Sequence, residues 1–210
     1  FPRTIYSVKK NRQEYFALIS YMDMQIGKII DALIETKQID NTVIIFTSDH
    51  GLSCGQHGLM GKQNMFEHSM KPPLIISGPG FPKGKTIKTP VYLQDIMPTT
   101  LELAQVPIPN NIAFKSLLPV IKGKQSYSSI YGAYKDKQRM IRKNDFKLVW
   151  YPESETYLLF DLLKDPYETN DLIYEKDKQK IVNELKKELY DQQLKLNDPM
   201  LTGNYGNLKE

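Results

Sequence analysis

Between residues 13 and 35 the apolar side chains Tyr15, Leu18, Ile19, Met22, Ile26, Ile29, Ile30 and Leu33 return at steps of three and four. That period predicts an amphipathic helix. The polar stretch ETKQIDN then leads into TVIIF at 42–46, where β-branched residues and Phe stand on consecutive positions. Such a run predicts a strand covered on both faces, as in a mostly parallel sheet flanked by helices. LIIS at 74–77 predicts a second short strand, stopped by the breaker cluster GPGFPKG. Asp95–Ala104 has the pattern of a short helix, with Asp95 near its start and Pro98 tolerated in the first turn.

Beyond about residue 125 the pattern changes. SSIYGAY, RMIRKNDFKLVWY and YLLFDL predict strands, and RKND between two of them marks a hairpin turn. Strands linked by hairpins predict a small antiparallel sheet. LKDPYETND reads as a turn, and Ile181, Leu185, Leu189 and Leu194 fall near helical spacing within the charged stretch 175–196. A closing helix is expected there, followed by an irregular tail, NDPMLTGNYGNLKE. The organisation expected is α/β over 1–124 and a small antiparallel β subdomain with a C-terminal helix over 125–210.

Composition adds limits. Of 210 residues, 40% are hydrophobic and 25% charged, enough apolar material for a packed core. The net charge of +4 is spread along the chain, so no nucleic-acid footprint is expected, and the surface favours anionic ligands only weakly. A lone cysteine, Cys54, excludes an internal disulfide. No apolar run approaches the roughly 20 residues of a membrane span. The opening FPRTIYS has no initiator Met, as expected of a piece of a longer protein.

The chemistry concentrates in TSDHGLSCGQHGLMGK, residues 47–62. In open α/β sheets ligands gather beyond the carboxyl ends of strands, where Asp49 and His50 stand. Gly51 is expected to let the backbone turn sharply, so that both side chains can face one ligand. Asp supplies a hard oxygen suited to Ca²⁺ or Mg²⁺, and His more often binds transition metals. Taken as a bare pattern, Asp-His-Gly is equally a strand-end turn with a satisfied histidine, and Lys62 a solvated lysine. His57 reads as a loop-stabilising histidine. Cys54 has no neighbouring base to activate it.

The runs NTVIIFTSDHG, GQHGLMGK and FEHSMKPPLIISGPG resemble the second signature region of the sulfatase family, in the alkaline-phosphatase-like superfamily. ALISYMDMQIGKIIDALIE resembles the helix before it, VYLQDIMPTTLELAQV the segment after it, and FKLVWYPESETYLLFDLLKDPYETNDL the closing strands. The resemblance runs in order over most of residues 14–172. It implies that Asp49 and His50 are the later pair of metal ligands, in a site usually holding Ca²⁺. It implies further that Lys62 contacts the substrate sulfate and that His57 lies on the substrate side.

The departures are also informative. No Cys/Ser-x-Pro-x-Arg motif, whose first residue becomes the formylglycine nucleophile in that family, occurs in this sequence. The early paired aspartates and the histidine-bearing middle segment are missing as well. Gln56 stands where Glu is common, and Lys71-Pro72 where Arg-Val is. The expectation is therefore a C-terminal portion of a sulfuric ester hydrolase, inactive in isolation. Its partners would be the missing N-terminal half and a sulfate ester such as a sulfated glycan, with oligomerisation through an exposed face. The alternatives are a phosphodiesterase or phosphonate monoester hydrolase on the same fold, or a non-catalytic binding module. Relatives that act on sulfated glycans are often exported, a slight lean for location.

Overall fold

A computed structural model describes residues 4–124 and 127–202. These residues form two compact units, one running to Lys62 and resuming over His68–Thr86, the other comprising Gln63–Glu67 and the chain from Ile87. Among the described residues no helix is long and apolar enough to cross a membrane.

In the first unit, helix α1 spans Ile5–Glu35. It begins earlier than its apolar pattern because Thr4 caps it, its hydroxyl accepting the Ser7 N–H at 3.2 Å. Of the expected face, Tyr15, Ile26, Ile30 and Leu33 are half-buried, whereas Leu18, Ile19, Met22 and Ile29 are exposed. Strand β1 (Ile44–Thr47) leads to a two-residue ladder, β2 (Ser53–Cys54) with β3 (Met60–Gly61), and then to α2 (Glu67–Met70) and β4 (Leu74–Ser77). β1 and β4 pair with each other antiparallel, Ile45 opposite Ile76. Every residue of β1 is half-buried. The consecutive apolar residues of β1 therefore do not mark a fully covered strand within this unit.

The second unit begins its regular structure with α3 (Ile96–Leu103) and α4 (Leu118–Ile121). Asp95 stands at the N-terminus of α3 but its side chain makes no cap bond there. Fully buried, it instead accepts the backbone N–H groups of Tyr92 at 2.8 Å and Lys115 at 3.0 Å, and the Tyr127 hydroxyl at 2.5 Å. One carboxylate thus ties three separated segments, a stronger use of a buried charge than a cap.

Strands β5 (Ile130–Tyr134), β6 (Gln138–Lys143), β7 (Phe146–Tyr151) and β8 (Thr156–Asp161) form an antiparallel meander in that order. The β6–β7 turn is Asn144-Asp145, with Asn144 at φ 53°, a left-handed conformation Asn tolerates. Helix α5 (Gln179–Lys195) covers one face of the sheet. Ile141, Leu148 and Leu159, aligned across three strands, pack there against Val182, Leu185 and Leu189. The buried stripe of α5 is Val182, Leu185, Leu189 and Gln193, and Leu194 is exposed, so the expected face was rotated by about one residue. The tail is not wholly irregular: α6 spans Pro199–Thr202, and the residues after it lie outside the described chain.

Two charged clusters lock this unit. The Lys147 ammonium, fully buried, donates to Glu168 at 2.6 Å and to the Met65 carbonyl at 2.9 Å, and lies 2.8 Å from Glu67. Three N–H groups meet three acceptors. Glu168 also accepts the Glu67 N–H at 2.6 Å, and Arg142 reaches the other Glu67 oxygen at 3.0 Å. In the second cluster Arg139 grips Asp198 by two bonds, 2.6 and 2.8 Å, and the Tyr131 hydroxyl donates to the same carboxylate. Burial alone would raise the Asp198 carboxyl, but Arg139, Tyr131, the Met200 N–H and Gln193 outweigh it and hold the group near pKa 2. Glu188 is likewise pulled to about 2, chiefly by Lys143.

Two tests follow from these clusters. Lys147→Ala leaves the buried Glu168 carboxylate without a cation and Glu67 with Arg142 alone, and is expected to cost about 3 kcal/mol or more in urea unfolding. Lys137→Ala, which removes an exposed ion pair with Glu153, should change the midpoint far less. Because Asp198 and Glu188 are depressed in the folded state, their stabilisation is complete above the ordinary carboxyl range and is lost as pH falls from about 4 through 2. Asp198→Asn should lower stability at neutral pH and flatten the fall in the unfolding midpoint across that window.

Candidate functional site

The carboxyl end of β1 carries Ser48, Asp49 and His50. The Ser48 hydroxyl lies 2.8 Å from the His50 carbonyl and 3.2 Å from Asp49 Oδ1, and the His50 N–H donates to that same oxygen at 3.0 Å. These short-range bonds fold the corner on itself and turn both functional side chains together. His50 Nε2 stands 3.1 Å from Asp49 Oδ2.

Gly51 holds the corner in place, for a different reason than a sharp turn. Its N–H donates to the Ser69 carbonyl at 2.8 Å, and a Cβ there would lie 1.9 Å from the His68 carbonyl oxygen. Close approach of two backbones, with no left-handed φ at this position, is what requires glycine. The corner is thereby pinned to residues 68–69.

The imidazole Nδ1 of His50 is 2.9 Å from the Gly51 carbonyl, an oxygen that can only accept. Nδ1 is therefore the donor, and in the neutral ring Nε2 presents a lone pair toward Asp49 Oδ2. Two facing acceptors 3.1 Å apart call for a cation or a proton between them. The donor set fits part of a metal site: one hard oxygen and one nitrogen converging on one point. Among the described residues, no group of three or more His, Cys, Asp and Glu side chains gathers to hold an ion. Two donors are well short of the six to eight oxygens Ca²⁺ prefers.

Lys62 follows β3 and is exposed. Desolvation raises the Asp49 carboxyl, but the His50 ring, the His50 N–H, Ser48 and, least of these, the charge of Lys62 set it below the usual carboxylate range. His57 sits in the 3-10 turn Gln56–Gly58 at φ 53° and stacks on His68, ring centroids 5.5 Å apart. His68 in turn is hydrogen-bonded through Nε2 to the fully buried Ser53 hydroxyl. Neither His68 nor Ser53 stood out in the sequence. The one available signal was a third histidine in a chain holding three. Cys54 is buried, and burial pushes its thiol pKa up, so it is a poor nucleophile.

The family model described as Sulfatase matches residues 2–106, and the model described as N-sulphoglucosamine sulphohydrolase, C-terminal, matches residues 55–195. This chain belongs to the sulfatase family. It is 36% identical over 180 residues to a choline-sulfatase of Rhizobium meliloti, an alignment covering 82% of this chain and 35% of that protein. It is 32% identical over 181 residues to arylsulfatase K of Bos taurus, covering 79% of this chain and 34% of that one. This sulfatase-family chain thus spans about a third of the length of these relatives. Its fold superposes on a solved protein in complex with its substrate D-glucosamine-2-N,6-O-disulfate with a TM-score of 0.82 at 30% identity, over 89% of this chain and 41% of that one. A phosphonate monoester hydrolase of Agrobacterium radiobacter superposes at 0.76 with 26% identity, over 88% of this chain and 41% of that one. The fold is accordingly alkaline-phosphatase-like.

Gly51→Ala is expected to push the corner away from residues 68–69. A loss of about 2 kcal/mol in thermal unfolding should result, with altered NMR shifts at Asp49, His50 and Ser69.

Proposed function

We propose that this chain is the C-terminal portion of a sulfatase that hydrolyses sulfate esters, and that Asp49, His50 and Lys62 form one side of its charge-stabilising site. The observation that carries this reading is the convergence of Asp49 and His50, 3.1 Å apart at the end of β1, in a member of the sulfatase family. The residues 1–124 are read as part of the α/β catalytic domain and 125–210 as its antiparallel subdomain.

Asp49 and His50 supply two donors to a divalent cation, Ca²⁺ being the first choice, with the remaining oxygens outside this pair. Such a cation, when bound, neutralises charge on the sulfate oxygens. Lys62 aims an ammonium at the ester and stabilises charge that moves onto the bridging oxygen as the S–O bond breaks. His57, braced by His68, is assigned to the substrate side. The nucleophile that would displace the alcohol oxygen from sulfur, a formylglycine hydrate by family likeness, would have to come from a part of the protein beyond this sequence. The substrate is a sulfate ester, and the glucosamine disulfate held by the solved relative makes a sulfated glycan the first to try. The apolar side chains exposed along α1, Leu18 and Ile29 among them, are read as a surface for the N-terminal half or a second copy. The phosphonate monoester hydrolase likeness supports a second reading, the same site acting on a phosphonate ester.

The 210-residue chain should bind Ca²⁺ weakly, in about the millimolar range, with NMR shifts centred on Asp49 and His50 that vanish in Asp49→Ala. It should give no turnover of nitrophenyl sulfate above that variant. Ordinary enzymatic turnover by the chain alone, or submicromolar Ca²⁺ affinity, would refute the division of labour.

A further inference from the structure

The second unit contains a cleft of about 340 Å³ that the chemistry above does not use. Tyr92, Phe114 and Tyr127 line it, together with Lys115, Lys195 and Gln192. Tyr92 meets Tyr127 edge-on at 84° and 4.8 Å, and Phe114 at 66° and 5.9 Å. The two tyrosines are fixed from behind. The Tyr127 hydroxyl is tied to Asp95 at 2.5 Å, and the Tyr92 oxygen accepts the Tyr131 N–H at 2.7 Å. A wall held this way loses little freedom when a ligand settles on it.

Lys115 and Lys195 line the cleft and are exposed, and among the described residues no carboxylate lines it. The nearby acids are turned inward: Asp95 is committed to Tyr92, Lys115 and Tyr127, and Glu188 to Ser129, Lys143 and Gln192. The Lys115 ammonium lies 4.8 Å over the Tyr127 ring, so cation and aromatic surface act at one place.

We infer that this cleft binds an anionic saccharide: a pyranose ring lying against the aromatic wall, its hydroxyls on Gln192, and its sulfate or carboxylate between Lys115 and Lys195. A bare inorganic anion has no use for three ordered rings, and a neutral sugar has none for two ammonium groups. The inference rests on the second unit alone and does not depend on the roles given to Asp49, His50 and Lys62.

The test is an NMR titration of the 210-residue chain with N-acetylglucosamine 6-sulfate, N-acetylglucosamine and inorganic sulfate. The sulfated sugar should shift the Tyr127, Phe114 and Gln192 signals and bind about tenfold more tightly than either control. Lys115→Ala and Lys195→Ala, both at exposed positions, should each weaken it by about threefold or more, and Lys137→Ala, an exposed lysine that does not line the cleft, should leave it unchanged. Equal binding of inorganic sulfate, equal binding of the neutral sugar, loss of binding in Lys137→Ala, or no binding at all would each overturn the inference. Failure here leaves the Ca²⁺ test of the β1 corner standing, and the reverse also holds.

Discussion

A lysine with no exposed surface is tolerable only if its charge is met, and in this chain nearly everything around residues 63–67 is arranged to meet it. Lys147 is the second residue of β7, on the sheet face opposite α5. Two glutamates and a carbonyl saturate its ammonium, and Arg142 balances the second negative charge. The result is a cluster of two cations and two anions with no net charge. An isolated buried charge would cost several kcal/mol; these four, paired with one another, fix a register instead. The apolar contacts nearby, such as Phe66 against Phe160 at 5.9 Å, depend on that register being right.

Local patterns revealed the elements better than their partners. The meander of β5–β8 could be read from alternation and turn residues because each strand pairs with its sequence neighbour. The helices α1, α3 and α5 could be read from period, though their ends shifted with capping and with preceding 3-10 turns. What local pattern could not supply was long-range polar pairing. Lys147, Arg139, Glu168 and Asp198 look like surface residues in the sequence, yet all four are buried. The ion pairs they form join residues 21 apart for Lys147 with Glu168 and 59 apart for Arg139 with Asp198, beyond the reach of any periodicity. The same blindness affected Asp95, whose carboxylate caps the 3-10 turn before the helix through the Tyr92 N–H and also joins it to Lys115 and Tyr127.

At the candidate site the sequence carried the residue types but not the mechanics. Asp49, His50 and Lys62 could be named because a strand ended in polar chemistry that matched a family signature. The features that orient them were hidden: the Gly51 contact with the His68 carbonyl, the Nδ1 bond that sets the His50 ring, and the His57–His68 stack. The first and last depend on segments about 10 to 20 residues apart touching in space, and the second on a ring orientation between neighbours, none of which a spacing rule encodes.

The path of the backbone has a practical corollary for anyone dissecting this protein. The chain leaves the first unit after Lys62, gives five residues to the second, and returns at His68 before crossing again near residue 87. A gene fragment starting at Ile87 would therefore encode a β meander whose central ammonium has lost Met65 and Glu67, keeping Glu168 alone. The two units are stitched rather than strung, so neither can be excised by a single cut without removing part of the other's interior.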